Sequence, residues 1–259
     1  MSPGMLRPPH TSISSTLPDD ICGNREFLIT AVEKMLKTID LGEITPENQP
    51  KVIFFDAVGT LFGVRGGVGE VYAQQAKQFG VDVAPELLTE YFMNSFRAAP
   101  EAAFPDASPE QLPQLEFDWW EAIARQTFHQ ANVLHQFPHW GDFFTHLYHH
   151  FASAAPWDLY PDVHPQLQRL QTLHIQLGVL SNFDTRLYSV LKALQLDHFF
   201  SSITISTAVG AAKPDPHIFA VALAKHQCPP HQAWHVGDSH KEDYLGAAAA
   251  GLRPILVQR

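Results

Sequence analysis

KVIFFDAVGTLF, residues 51–62, decides the fold. A short continuous apolar run bounded by Pro50 and the Gly59-Thr60 turn reads as a strand buried on both faces, as in a parallel sheet. Asp56 then stands at the carboxyl end of that strand, the edge where open α/β sheets place their ligands. Two positions further on the side chain is Val58, which carries no charge.

Working outward, strand and helix alternate. VIFFD (52–56) is followed by a helix near 69–80, and later come IQLGVLS (175–181), a helix near 184–194, SITIS (202–206) and a helix near 216–227. AWHVGD (233–238), a helix near 242–250 and PILV (254–257) complete the series. Such alternation predicts βαβ units and a doubly wound parallel sheet, a Rossmann-like α/β core. Residues 82–156 break the rhythm. They are rich in aromatics, among them Phe92, Phe96, Trp119, Trp120, Phe128, Trp140 and Phe144, and have no β-branched strand signal. We read them as an inserted helical cap packed around rings. The expected organisation is therefore a core over 49–81 and 157–259 and a cap over 82–156. Residues 1–48 form a Pro- and Ser-rich leader plus one amphipathic helix, marked by Leu28, Val32, Met35, Leu36 and Ile39.

Composition narrows the function. The 259 residues carry a formal charge of −10, which argues against a nucleic-acid surface of clustered Lys and Arg. No run has the roughly 18 apolar residues of a membrane helix. With only Cys22 and Cys228, a disulfide framework is excluded and a reducing, cytoplasmic setting is expected. The scattered histidines, densest at His146, His149 and His150, read as surface or packing groups. Nothing in the sequence specifies an oligomeric state.

Four polar points fall at or just after predicted strand ends: Asp56 with Thr60, Ser181 with Asn182, Lys213, and Asp238 with Asp243. In a doubly wound sheet these ends converge on one crevice. A carboxylate can attack phosphorus and form an aspartyl-phosphate, but the attack of one anion on another must be neutralised. Mg²⁺ does so through hard oxygen ligands, and Asp56 and Asp238 are the natural pair for it. Lys213 would place a point charge on the transferring group, and Ser181 and Thr60 would bind its oxygens. Asp215, before Pro216, reads as a helix cap. Arg97 reads first as a solvated surface arginine and otherwise as a basic group in an aromatic setting that could reach a substrate anion. Arg65 lies in the Gly-rich GVRGGVG segment (63–69), a hinge or a plain loop.

These residues resemble the four motifs of the haloacid dehalogenase superfamily, in the right order from about 51 to 257. DAVGTLF (56–62) is similar to its nucleophile loop, VLSN (179–182) to its second motif, AAKPDPHIF (211–219) to its lysine motif, and HVGDSHKEDYLGAAAAG (235–251) to its acidic metal motif. The position of the insert resembles the subclass whose helical cap follows the first strand. FRAAPEAAFP and WWEAIARQTF look like caps of the rhythmically-expressed-gene-like group. The resemblance implies a hydrolase of a small phosphorylated substrate. In it Asp56 is the nucleophile, Lys213 stabilises the anion, and Thr60, Ser181 and Asn182 line the substrate site. Asp56, Asp238 and the backbone carbonyl of Val58 would hold Mg²⁺, with Asp243 acting from outside that shell.

The departure is at Val58. Phosphatases of this superfamily carry an acid there, which protonates the leaving group and then activates water. Loss of a positioned acid or base typically costs about 10²- to 10⁴-fold in rate. Dehalogenases of the superfamily also lack that acid, yet need no Mg²⁺ and lack the acid that Asp238 supplies. Phosphonatases use a cap lysine, and 82–156 contains none. The expectation is a phosphatase-like hydrolase with an altered proton path. The alternatives are a catalytically weakened binder of a phosphometabolite or protein partner, and, behind it, a 2-haloacid dehalogenase.

Overall fold

The computed structural model describes residues 39–259. Of the helix expected over 28–39 only Ile39 falls among them; it is buried in the core, and its N–H donates to Asp162 Oδ2 at 2.8 Å. In chain order, β1 (Val52–Phe55) leads to β2 (Phe62–Val64). Four helices follow, α1 (Val68–Gln78), α2 (Pro85–Ala98), α3 (Leu112–Gln130) and α4 (Trp140–His150), and then β3 (Trp157–Leu159). From there helix and strand alternate through α5 (Val163–Thr172), β4 (Gln176–Ser181), α6 (Arg186–Ala193), β5 (Ser202–Ile205), α7 (Ser206–Val209) and α8 (Pro216–Lys225). The chain continues through β6 (Ala233–Gly237), a π-helix at His240–Leu245, α9 (Gly246–Ala249) and β7 (Arg253–Leu256).

The five long-range strands form one parallel sheet in the order β5-β4-β1-β6-β7. The run VIFF is central because it has no polar edge to show to water: all four residues are fully buried. Alternate side chains go to opposite faces. Ile53 and Phe55 join one core cluster with Val179 and Val236, while Val52 and Phe54 join another with Leu180, Phe219 and Ala233. Because β4 and β6 pair with β1 from opposite sides, the direction of winding reverses at β1, and the crevice lies at the carboxyl ends of these three strands.

The helical insert hangs from a two-stranded antiparallel ribbon in which Phe62 pairs with Leu159 and Val64 with Trp157. It therefore begins after β2, earlier than residue 82. Helix α1, expected in the core, buries Tyr72 and Ala76 in the aromatic cluster of the insert. The cause is Tyr72, whose ring stacks on Phe128 with centroids 5.8 Å apart and planes 4° apart. Phe128 is fully buried and is ringed by Phe137, Trp140 and Phe143, each within 5.7 Å centroid to centroid. Helix α8 starts as expected: Asp215 Oδ1 accepts the His217 N–H at 2.8 Å and Pro216 occupies the first turn. The helix expected near 242–250 opens earlier, at His240, as a π-helix that passes into α9.

Since so many rings in the insert lean on Phe128, its loss leaves a large cavity. Phe128→Ala should lower stability by about 3–5 kcal/mol, read from urea denaturation; a loss under 1 kcal/mol would mean that the cluster collapses freely around the gap.

Candidate active site

The carboxyl end of β1 turns tightly. Leu61 N–H donates to the Ala57 carbonyl at 2.8 Å, Gly59 N–H donates to Phe62 O at 2.8 Å, and Gly59 has φ +91°. A Cβ at Gly59 would lie 2.4 Å from Asp238 Oδ2, so only glycine allows the loop after β1 to meet the acid after β6. Gly237 is needed for the same reason: its Cβ would fall 2.1 Å from Asp243 Cγ.

These turns bring Asp56, Asp238 and Asp243 together, with one carboxylate oxygen of each within 4.8 Å of the others. Lys213 enters from the loop before α8. Its Nζ donates to Asp56 Oδ1 at 2.7 Å and to Asp243 Oδ1 at 2.5 Å, and its side chain is only 1% exposed. Asn182 holds the lysine by its backbone, accepting the Lys213 N–H at 2.7 Å and donating to the Lys213 carbonyl at 2.9 Å. A 3.4 Å bond links the same amide to Glu242 Oε2. Ser181 is buried beside Asp56, and its side-chain hydrogen bond favours the ionised carboxylate.

Thr60 departs from its expected role. It is fully buried, and its hydroxyl donates to Asp238 Oδ1 at 3.3 Å, so it supports the acid instead of facing a substrate. Asp243 is enclosed: Oδ1 accepts from Lys213 and from His235 Nε2 at 2.8 Å, and Oδ2 accepts the Ser239 N–H at 2.9 Å. His235 was not legible as a site residue. The signal for it is a lone ionisable side chain inside the apolar strand AWHVG. Arg259 is a second such residue. Its guanidinium donates to the Thr60 carbonyl and to Asp162 Oδ1 at 2.6 Å, fixing the far side of the β1 turn.

The electrostatics follow from crowding. Burial pushes the Asp56 carboxyl up against the pull of Lys213. Burial, then the Asp56 and Asp243 charges, push Asp238 up to about 6. For Asp243 burial acts in the same sense, but Lys213 and His235 win and hold it far below the usual carboxylate range. His235 is pushed down by burial, so it is neutral and donates from Nε2. Three carboxylates share one ammonium, which leaves two negative charges uncompensated when all ionise. That deficit and the all-oxygen donor set suit one hard divalent cation.

Above this floor opens a cavity of about 800 Å³ lined by Asp56, Val58, Ser181, Asn182, Lys213 and Asp238, and by rings of the insert. Arg97, on α2, lines it too and is solvent-exposed. The insert is held over the site by buried polar groups. Glu116 on α3 is 1% exposed and accepts from the Thr185 N–H at 3.0 Å and from the hydroxyls of Thr185 and Thr207. Trp120 Nε1 donates to Asp184 Oδ2 at 2.7 Å, and Asp184 is paired with Arg186 at 2.6 Å. Among the described residues, no helix is long and apolar enough to cross a membrane.

A strand-end carboxylate, a buried lysine and a second acid after β6 on a doubly wound sheet define a hydrolase class, and the family comparison agrees. The haloacid dehalogenase-like hydrolase model matches residues 50–251, and the chain belongs to that family. It is 32% identical over 207 residues to haloacid dehalogenase-like hydrolase domain-containing protein 3 of Danio rerio, covering 80% of this chain and 84% of the relative. With the rhythmically expressed gene 2 protein of Drosophila melanogaster it shares 28% identity over 218 residues, 80% and 82% of the two chains. The L-2-haloacid dehalogenase of Xanthobacter autotrophicus has the same fold, with TM-score 0.58, 20% identity, and 79% and 76% of the chains covered.

Gly59→Ala tests the close approach. Gly80 also has a left-handed φ, +81°, but nothing lies within 4 Å of its missing Cβ. Both substitutions carry backbone strain of order 1–3 kcal/mol, and Gly59→Ala should cost measurably more by chemical denaturation. Equal losses would show that the contact with Asp238 yields without cost.

Proposed function

We propose that the protein is a Mg²⁺-dependent phosphohydrolase that works through an aspartyl-phosphate on Asp56. The observation that carries this reading is the cluster of three carboxylates around one buried ammonium. Asp56, Asp238 and the Val58 carbonyl would hold the ion, with Asp243 orienting its surroundings and Lys213. Bound there, Mg²⁺ supplies the positive charge that lets a carboxylate approach a phosphate dianion. Asp56 attacks phosphorus, Lys213 and Ser181 stabilise the charge on the transferring oxygens, and Asn182 keeps the lysine in place. Arg97 is poised to meet the anion from the insert. The cytoplasm, a reducing compartment, is the setting this reading assumes.

Val58 fixes how far the reaction runs easily. With no acid at that position the leaving group departs as its own anion, so good leaving groups react and alkoxides do not. The same vacancy leaves the second step without a base to take a proton from water. The aspartyl-phosphate should therefore outlive the first step. With 4-nitrophenyl phosphate and Mg²⁺, rapid mixing should give a burst of nitrophenol stoichiometric with the protein, followed by slow turnover, and Asp56→Asn should abolish both phases. A linear trace at a rate typical of a fast phosphatase would refute the slow second step.

Val58→Asp should restore proton transfer, erase the burst, and raise hydrolysis of alkyl phosphates by about 10²-fold or more. A second reading, a weakened member that binds a phosphometabolite or a protein partner, is favoured by the same Val58. It predicts Mg²⁺-dependent phosphate binding with no turnover even in Val58→Asp. A metal-independent 2-haloacid dehalogenase is disfavoured, since with no cation bound its carboxylate substrate would enter a site already holding two unmatched negative charges.

Proton and cation compete for Asp238. Its carboxyl titrates near 6, so it is ionised above that pH and protonated below it. Mg²⁺ affinity should accordingly be nearly constant above pH 7 and fall as pH drops through 6, by calorimetry; affinity flat from pH 7 to 5 would remove Asp238 from the ligand set.

A further inference from the structure

The cavity above the carboxylates is far larger than a phosphate needs, and its walls differ in kind from its floor. Asp56, Ser181, Lys213 and Asp238 put the polar chemistry at one end. Elsewhere the wall is built of rings. Phe92 stacks on Phe96 with centroids 5.7 Å apart and planes 16° apart, and Phe96 stacks on Trp120 at 6.0 Å and 26°. Trp119 stands edge-on to both Phe96 and Trp120, at 5.9 and 4.8 Å. The indole N–H groups are engaged: Trp119 donates to the Pro100 carbonyl at 2.9 Å and Trp120 to Asp184. What these side chains offer a ligand is carbon surface and π-faces.

That surface is open to water. Phe96 is 42% exposed and Met93, one turn earlier on α2, is 37% exposed. Of the charged side chains that also line the cavity away from the floor, Arg97, Glu101 and Lys241 are exposed, while Arg186 is buried, paired with Asp184 and packed on Trp120 and Tyr148. An apolar wall of rings open to water favours a flat, apolar ligand, which would gain burial and contact with ring carbon there.

We propose that this cavity is a leaving-group subsite for a planar aromatic alcohol, so that the substrates are aryl phosphomonoesters. The inference rests on the phosphohydrolase reading of the floor, and Val58 supports it from an independent side. The reaction balances without an acid at position 58. A carboxylate oxygen of Asp56 bonds to phosphorus as the P–O(aryl) bond breaks, and its electron pair leaves on the aryl oxygen. That phenolate then takes a proton from water. A water oxygen next bonds to phosphorus, the Asp56–phosphorus bond breaks, and the carboxylate is regenerated with release of one proton. Aryl oxygens tolerate departure as anions, whereas alkoxides do not, so the chemistry of the floor and the shape of the walls select the same class.

The test compares phenyl phosphate with 2-naphthyl phosphate, whose leaving groups are of closely similar acidity but differ by one ring. Acetyl phosphate, small and activated, reads the floor alone. With the full chain and Mg²⁺, kcat/KM for 2-naphthyl phosphate should exceed that for phenyl phosphate by about 10-fold. By calorimetry, 2-naphthylphosphonate should bind one to one. Phe96→Ala should weaken that binding about 10-fold, and at least five times more than it weakens binding of inorganic phosphate. Turnover of acetyl phosphate with no advantage for naphthyl over phenyl, and no binding of the phosphonate, would overturn the aromatic subsite and leave the phosphohydrolase reading intact. Phe96-dependent binding of the phosphonate with no turnover of any ester would do the reverse.

Discussion

Lys213 is buried between Asp56 and Asp243, and the segments of the site that matter are tied to it. An ammonium taken out of water costs several kcal/mol unless it is fully paired. Here it is paired twice, and its pKa is raised because the two carboxylates outweigh burial. One partner stands at the end of β1 and the other in the π-helix after β6. Its own backbone is clamped by Asn182 at the end of β4. Four chain segments far apart in sequence thus meet on one charge. The ammonium answers two of the three acids by contact and leaves Asp238 without it, and burial and then the neighbouring carboxylates push that acid up to about 6.

A second buried polar layer sets the insert over the first. Glu116 crosses from α3 to the segments around Thr185 and Thr207, where hydroxyls and a backbone N–H answer it against the burial that raises its pKa. Beside it the Asp184–Arg186 pair is covered by Trp120 and Tyr148, with the guanidinium carbon 3.9 Å from the Tyr148 ring centroid. Apolar contact alone would let the insert slide, because burial is not directional. Charged hydrogen bonds with buried partners fix one pose, and with it the distance between the aromatic walls and Asp56.

How legible this was depended on what each residue answers to. Asp56, Ser181 and Asp238 were readable because parallel strands are marked by apolar runs and their ends by the first polar residue after them. The parallel core and the helical character of the insert followed from the same periodicities. Thr60 was misread because its partner, Asp238, lies 178 positions away, and a hydroxyl's direction is set by tertiary packing. The β2–β3 ribbon pairs residues nearly 100 apart and has only three residues per strand, too few for a pattern. With the ribbon unseen, α1 was assigned to the core, although Tyr72 belongs with the rings of the insert. His235 and Glu116 are buried ionisable groups held by other buried groups; His235 shows locally only as an ionisable residue inside an apolar strand, and the partners of Glu116 lie 69 and 91 positions away.

Val58 joins these themes. It packs against the core cluster beneath the sheet edge and also lines the cavity, so the position that would hold an acid instead continues the apolar wall to the reacting end. Placing a carboxylate there would add a fourth negative group to a floor that already has more acids than cations, and would put a hydrated charge against the rings. On the phosphohydrolase reading proposed above, valine would remove proton transfer at this position while keeping apolar surface beside Asp56. On that reading such a floor would stabilise attack and leave departure unassisted. Selectivity would then pass to the leaving group, whose acidity must supply what the protein lacks, and the proposed aromatic subsite is where that group would be chosen.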